Sequence, residues 1–285
     1  MIPGPSRLLV AGLVAGLVAG LATACGGSPS VSVRAPTAPM ATATPPPATT
    51  EAPPRVVPPR AGLPVVDYWP SPRGLPADPD PHSTVAPTEG LRPARPIGAY
   101  DAPGGTAKVM LAPTIRGVPI TMPIVDRRAG WVAVLMPSVN RRIGWVPPGD
   151  WTTVPLRDQL IVVRSTHELR WLRDGVQLRS WRVTLGARAT PTPLGRTFIL
   201  APSKLPGYVY ADTKVFALGA VPDDVDAVPA GLRGAHIGIH TWYHDGELGQ
   251  NTSDGCIRLT RKGQRLLLAE LVPGTEVVVV DRLPA

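Results

Sequence analysis

The sequence predicts a mostly β fold, arranged as a small β-barrel followed by a larger β-rich domain that holds one short helix. Three observations carry this. Short apolar runs recur from residue 91 onward, each closed by glycine, proline or aspartate. Asp174-Gly175 separates two such runs by two residues, the strongest short-range signal for a type I′ hairpin. Only residues 263–271 (GQRLLLAEL) space their apolar side chains as a helix does.

The elements follow in chain order. Residues 1–25 read as an export signal: Arg7 supplies the positive start, 8–21 (LLVAGLVAGLVAGL) the apolar stretch, and Ala22-Thr23-Ala24 the small residues before Cys25. That apolar stretch is too short and too glycine-rich to favour a membrane-spanning helix. Two readings of the cleavage site compete. Ala22-Thr23-Ala24 fits an ordinary A-x-A site, and it also resembles a bacterial lipobox, which would lipidate Cys25 and tether the chain through Gly26-Gly27-Ser28. Residues 26–90 form a Pro/Ala/Thr-rich stretch, expected to be a disordered, semi-extended tether, since polyproline II advances about 3 Å per residue and so gives reach.

Residues 91–154 carry the barrel. Runs at 97–100, 107–110, 118–122, 131–135 and 143–146 are broken by Ala102-Pro103-Gly104-Gly105, Arg116-Gly117, Ala129-Gly130 and Pro147-Pro148-Gly149. Tyr100-Asp101-Ala102-Pro103-Gly104, Gly130-Trp131-Val132 and Gly144-Trp145-Val146 resemble segments of bacterial SH3-like wall domains. Trp131 and Trp145 are read as core residues ahead of groove residues. Residues 156–281 form the second domain. Strands at 160–163, 169–172 and 176–185 open it, and a helix at 263–271 and a buried strand at 275–280 (TEVVVV) close it.

Composition narrows the partners. The formal net charge is +8, which does not by itself separate nucleic acid from an anionic cell wall. Export does: it leaves the wall, and the membrane through a lipid anchor, and removes nucleic acid. There are two cysteines, Cys25 and Cys256. With Cys25 lipidated, Cys256 is an unpaired thiol in an oxidising compartment and needs a reason to persist. A Cys25–Cys256 disulfide is the structural alternative.

The chemistry concentrates in residues 236–260 (HIGIHTWYHDGELGQNTSDGCIRLT). As a strand, 236–240 puts His236, Gly238 and His240 on one face and Ile237 and Ile239 on the other. A thiol attacks a carbonyl as thiolate, so Cys256 needs a base, and His240 at the strand end is the candidate. Gly255 lets the backbone turn tightly and aim amides at an acyl oxygen. Inert packing of Cys256 is the bland reading. A metal site at His236, His240 and His244 is another, but Gly238 between isoleucines argues for strand over helix, and the cysteine lacks a second partner. No metal or cofactor is expected.

Ile239-His240-Thr241 and Ser253-Asp254-Gly255-Cys256-Ile257-Arg258 resemble the catalytic signature of the L,D-transpeptidase (YkuD-type) family, a histidine followed after a variable loop by Ser-His-Gly-Cys. Residues 190–198 (TPTPLGRTF) resemble the family's upstream T-P-x-G-x-F segment. The resemblance implies a cysteine acyltransferase that cross-links peptidoglycan. A tetrapeptide stem would acylate Cys256 and release D-alanine, and an amine of a second stem would take the acyl group. His240 would activate the thiol, Thr241 would hold the imidazole through its carbonyl, amides near Gly255 and Cys256 would bind the oxyanion with Ser253 in support, and Arg258 would brace the loop or engage a substrate carboxylate. Asp254 departs from the family's histidine; it would raise the thiol pKa if it pointed inward, and is expected to point away. Residues 204–232 read as a substrate lid, with Tyr208, Tyr210 and Trp242 as candidate cleft residues beside His236. The same site could hydrolyse the acyl group as an L,D-carboxypeptidase, and a non-catalytic wall-binding protein is the alternative from another class. An NlpC/P60-type peptidase has the cysteine before the histidine, the reverse of the order here. The expected location is the cell envelope, as a lipoprotein at the outer face of the cytoplasmic membrane or in the wall.

Overall fold

The computed structural model describes residues 54–68, 72–205, 207, 210, 212–219 and 237–283. Cys25, the export signal, Tyr208 and His236 lie outside the described residues. The fold is mostly β, as expected. Strands β1 (Glu89–Pro93), β2 (Ile97–Tyr100), β3 (Ala107–Leu111), β6 (Met122–Arg128), β7 (Trp131–Leu135), β8 (Ile143–Val146) and β9 (Trp151–Pro155) form one antiparallel sheet in the order β3-β2-β8-β7-β6-β1-β9. A small hairpin, β4 (Thr114–Ile115) with β5 (Val118–Pro119), stands apart from it. The run expected at 118–122 is therefore split, because Pro119 has no N–H to continue a ladder. Trp131 is fully buried with its ring edge-on to Tyr100 at 5.0 Å, and Trp145 is 5% exposed, so both are core residues.

The second sheet follows the order β12-β11-β10-β19-β14-β15-β16-β18. Its strands are β10 (Asp158–Val163), β11 (Glu168–Arg173), β12 (Val176–Arg182), β14 (Gly195–Ser203), β15 (Val215–Leu218), β16 (Gly238–His240), β18 (Ile257–Arg258) and β19 (Glu276–Val280). The β11–β12 hairpin turns on Asp174 and Gly175 with φ of 51° and 77°, as a type I′ turn requires. β19 (EVVVV) is buried at every position because it lies between β10 and β14, covered on both faces. The expected strand 176–185 stops at Arg182; β13 (Leu185–Gly186) leaves the sheet to pair with β17 (Asn251–Ser253).

Helix α1 (Arg261–Glu270) begins two residues before the apolar spacing does, because the Thr260 hydroxyl caps it by accepting from the Gly263 N–H at 3.1 Å. Its buried Gln264 donates to the carbonyls of Ile239 (3.1 Å) and Lys214 (3.0 Å), tying the helix to β16.

The tether expected over 26–90 is corrected from residue 64 onward, where the chain packs as a strap. Met110 N–H donates to Pro64 O at 2.8 Å and Val66 N–H to Met110 O at 2.9 Å, which adds a parallel edge to β3. Val66, Tyr68, Leu75 and Asp78 are buried. Asp78 takes a bidentate pair from Arg196 of β14 (2.6 and 2.7 Å), with both side chains buried, and Gln159 of β10 donates to Thr84 O at 3.0 Å. Proline-rich sequence suppresses helix and sheet, but it does not prevent an extended chain from lying on a surface that satisfies its amides. Phe198 and Leu200 of β14 belong to the same buried cluster as Leu91, Met122 and Trp131, so the boundary expected near 154–156 crosses a shared core.

Candidate active site

The site is built by two short strands that run parallel. β16 and β18 pair Ile239 with Ile257 and His240 with Arg258, and Leu259 N–H donates to His240 O at 3.0 Å. Ile237, Ile239 and Ile257 point into the second core, which leaves Gly238, His240 and Cys256 on the opposite side. There they line one cavity of about 520 Å³. Its walls are Leu200, Ala201, Pro202 and Ser203 from β14, Val215, Phe216 and Ala217 from β15, and Leu205 and Tyr210 from the connecting segment. Tyr68 of the strap and Ile115, Arg116 and Val118 of the β4–β5 hairpin close it from outside the second sheet.

His240 is 6% exposed and its Nδ1–H donates to Thr241 O at 2.7 Å. That bond assigns the tautomer and leaves Nε2 as the base. Thr241 is fixed in turn: its hydroxyl donates to Tyr210 O at 2.6 Å, and the Thr213 hydroxyl lies 3.0 Å from it. Tyr210 meets the imidazole edge-on at 5.2 Å. Burial lowers the imidazole pKa to about 4, with the Arg258 charge adding to the drop and the Thr241 carbonyl opposing it. Burial likewise raises the Cys256 thiol above its ordinary value; the Gly238 N–H bonded to the sulfur and the Arg258 charge pull the other way. The resting pair is a neutral thiol beside a neutral imidazole.

The turn before the cysteine is locked. Gly255 has φ of +105°, and a Cβ there would stand 2.9 Å from Ile237 Cδ1. Ser253, fully buried, accepts from Gly255 N–H at 3.3 Å and donates to Cys256 O at 2.5 Å. The Gly255 amide is thus engaged by Ser253 in the free site. Asp254 is exposed and raises the thiol only as the smallest of its influences, in keeping with a side chain that points away.

Arg258 braces the loop. Its Nη1 donates to Glu247 Oε2 at 2.8 Å, its guanidinium lies 3.6 Å over the Trp242 ring, and it does not line the cavity. Trp242 stands behind the imidazole at 6.1 Å and carries Arg258, so of the expected cleft aromatics Tyr210 alone is placed in the cavity wall among the described residues. Sequence reasoning missed Glu247, which accepts from Thr252 (2.6 Å) and Arg258, and it missed Tyr68 and Arg116. Arg116-Gly117 was legible only as a turn, and nothing local to Tyr68 marks it.

Residues 157–279 match the family model described as the YkuD L,D-transpeptidase catalytic domain. Among solved structures, an L,D-transpeptidase from Mycobacterium smegmatis aligns with a TM-score of 0.35 at 15% identity, over 56% of this chain and 77% of that one. L,D-transpeptidase 3 from Mycobacterium tuberculosis, in complex with a faropenem-derived adduct, gives 0.35 at 16% identity, over 49% of this chain and 74% of that one. The catalytic domain of the E. faecium L,D-transpeptidase gives 0.32 at 21% identity, over 43% of this chain and 96% of that one. No curated protein sequence matches the chain.

Proposed function

We propose, starting from the match of residues 157–279 to the L,D-transpeptidase catalytic domain, that this chain is a peptidoglycan L,D-transpeptidase of the cell envelope working through a Cys256 acyl-enzyme. The observation that supports this most is the shared cavity: Cys256 and His240 line the same wall, and the imidazole is oriented by the Thr241 carbonyl with Nε2 left as base. As the sulfur attacks the carbonyl that precedes the terminal D-alanine of a tetrapeptide stem, its proton passes to Nε2. The Cys256 N–H is the oxyanion donor in this reading, because the Gly255 N–H is engaged by Ser253. Collapse breaks the amide bond. D-Alanine leaves as an amine carrying the proton from Nε2, and a thioester remains. An amine of a second stem then attacks the thioester, His240 takes its proton, and the returning thiolate regains it.

Transfer to an amine is favoured over transfer to water by the cavity's lining, which is dominated by aliphatic and aromatic side chains and disfavours bulk solvent at the thioester. Outside the described residues, Cys25 is proposed as a lipid anchor, and the sheet formed by β1–β3 and β6–β9 as an SH3-like wall-facing module. Intact mass after incubation with a carbapenem tests the nucleophile: one adduct on the wild type and none on Cys256→Ala is expected. Alanine release with and without an acceptor amine tests the outcome. Release that does not respond to acceptor would make the chain a carboxypeptidase. For the anchor, Cys25→Ser should move the protein from the membrane to the soluble fraction; wild-type protein recovered wholly soluble and unacylated would end that part of the reading.

A further inference from the structure

Among the described residues lining the thiol's cavity, one carries a formal charge at neutral pH. With the imidazole and thiol both neutral, the remaining walls are aliphatic, aromatic or hydroxyl-bearing, and the exception is the guanidinium of Arg116. It reaches the cavity from outside the catalytic sheet, at the tip of the β4–β5 hairpin. The hairpin is anchored by Ile115, 7% exposed in the first core. Arg116 and Gly117 take φ of 49° and 79°, the two left-handed positions of a type I′ turn, where asparagine, aspartate or glycine is the residue the backbone prefers. A large cation held in that conformation at the mouth of a cavity is a reason to look for its ligand.

The partner recorded for Arg116 is Asp67 of the strap, with Nε and Oδ1 3.5 Å apart and side chains 65% and 52% exposed. That separation is beyond hydrogen-bond length, and a solvated pair of this kind adds little. The fork of the guanidinium remains open to a second carboxylate, which it would grip in the bidentate, charge-assisted manner that arginine favours. Val118 and Leu205, 43% and 42% exposed, line the same cavity and offer apolar surface to the chain that carries such a carboxylate.

We propose that Arg116 is a specificity-determining residue that binds a carboxylate of the donor peptide while Cys256 attacks its amide carbonyl. Substrate choice would then be shared between the catalytic domain and the sheet before it. The inference rests on the acyl-transfer reading for the identity of the donor, but not for the charge it selects. Two carboxylates of a stem peptide qualify, the C-terminal one of the leaving residue and one on the side chain of the third residue, and amidating each in turn tells them apart.

The test uses the full chain. Binding of three synthetic tetrapeptides (free acid, C-terminally amidated, side-chain amidated) is measured on Cys256→Ala protein with and without Arg116→Gln. Turnover by the Cys256-bearing chain is followed as alanine release. Arg116→Gln should weaken the free-acid donor roughly tenfold to a hundredfold, in KM more than in kcat, and leave one of the amidated donors unaffected. Arg116→Lys should recover part of the loss, and Asp67→Asn should tighten the free-acid donor by removing a competing carboxylate. Equal weakening of all three peptides, or of none, would overturn the proposal. If no peptide releases alanine while Cys256→Ala protein still shows the Arg116-dependent preference, the acyl-transfer reading fails and the carboxylate site stands.

Discussion

Titrating the Cys256 thiol separates two ways of activating it. Burial raises the thiol above its ordinary value and lowers the imidazole to about 4. Both shifts disfavour moving the proton from sulfur to Nε2 in the empty site. In the proposed mechanism His240 therefore works as a general base during attack, when the developing charge meets the acyl oxygen and its donor, and not by storing thiolate beforehand. The assay is the rate of Cys256 alkylation by a neutral reagent such as iodoacetamide from pH 5 to 10, on the wild type and on His240→Ala. The wild-type rate should climb without an inflection below pH 9. His240→Ala should leave the shape of the profile nearly unchanged, because a neutral ring contributes no charge to stabilise sulfur. Its alanine release should nonetheless fall by roughly two to four orders of magnitude. A wild-type inflection near pH 7 that moves upward in His240→Ala would refute the reasoning and restore the ion pair.

Gly255→Ala, forced to keep φ of +105° with its Cβ 2.9 Å from Ile237, should lose about 1–3 kcal/mol in urea melts and slow carbapenem acylation of Cys256. Asp78→Ala would strand a buried Arg196 and should cost about 3–5 kcal/mol by calorimetry. For the same reason, together with Phe198 and Leu200 left uncovered, a chain starting at Leu156 should aggregate on size exclusion where one starting at Pro54 stays monodisperse. Glu276 is pushed up to about 7, chiefly by burial, from 4.5, so the folded state holds its proton more tightly than the unfolded one; its contribution is full below pH 4.5 and is lost, up to about 3 kcal/mol, as pH rises through 7. His240, lowered from 6.5 to about 4, works the other way, losing its contribution as pH falls through 4. Urea melts between pH 4.5 and 7.5 should therefore show a steeper rise of stability with pH in Glu276→Gln than in the wild type; parallel curves would mean that Glu276 is not a buried acid.

What was legible in the sequence was what local chemistry decides. Asp174-Gly175 fixes its turn whatever surrounds it, and alternation in 236–240 puts His240 and the isoleucines on opposite faces because a pleat has period two. Gly255 and Cys256 announce a tight turn before a nucleophile. What was not legible depends on distant partners. Nothing near Tyr68 or Asp78 says that a proline-rich stretch will lie against β3 and salt-bridge to Arg196, 118 residues away. The engagement of the Gly255 amide was hidden because Ser253 is two residues from Gly255 in every conformation, yet captures its amide in only one. Arg116 read as half of a turn, since its relation to Cys256 exists only once two sheets share a core.

The burial that disfavours charge on the pair also bears on how Cys256 would persist as a free thiol if the chain is exported as proposed. Oxidation and disulfide exchange go through the thiolate and need access to it. Burial that raises the thiol keeps its thiolate fraction low, so in the proposed exported enzyme Cys256 would resist capping better than a surface cysteine of ordinary acidity. A cysteine stored as thiolate by its histidine would react faster with any electrophile, a disadvantage in the oxidising compartment that the proposed export implies. Keeping the proton on sulfur until a carbonyl is in place makes attack conditional on the substrate. It also explains why the cavity needs walls from outside the catalytic sheet: Tyr68, Ile115 and Val118 cover surface that β14, β15 and β16 alone would leave to water. In this arrangement the strap and hairpin take part in the chemistry without touching a proton, because they set the dielectric in which sulfur and imidazole hold theirs.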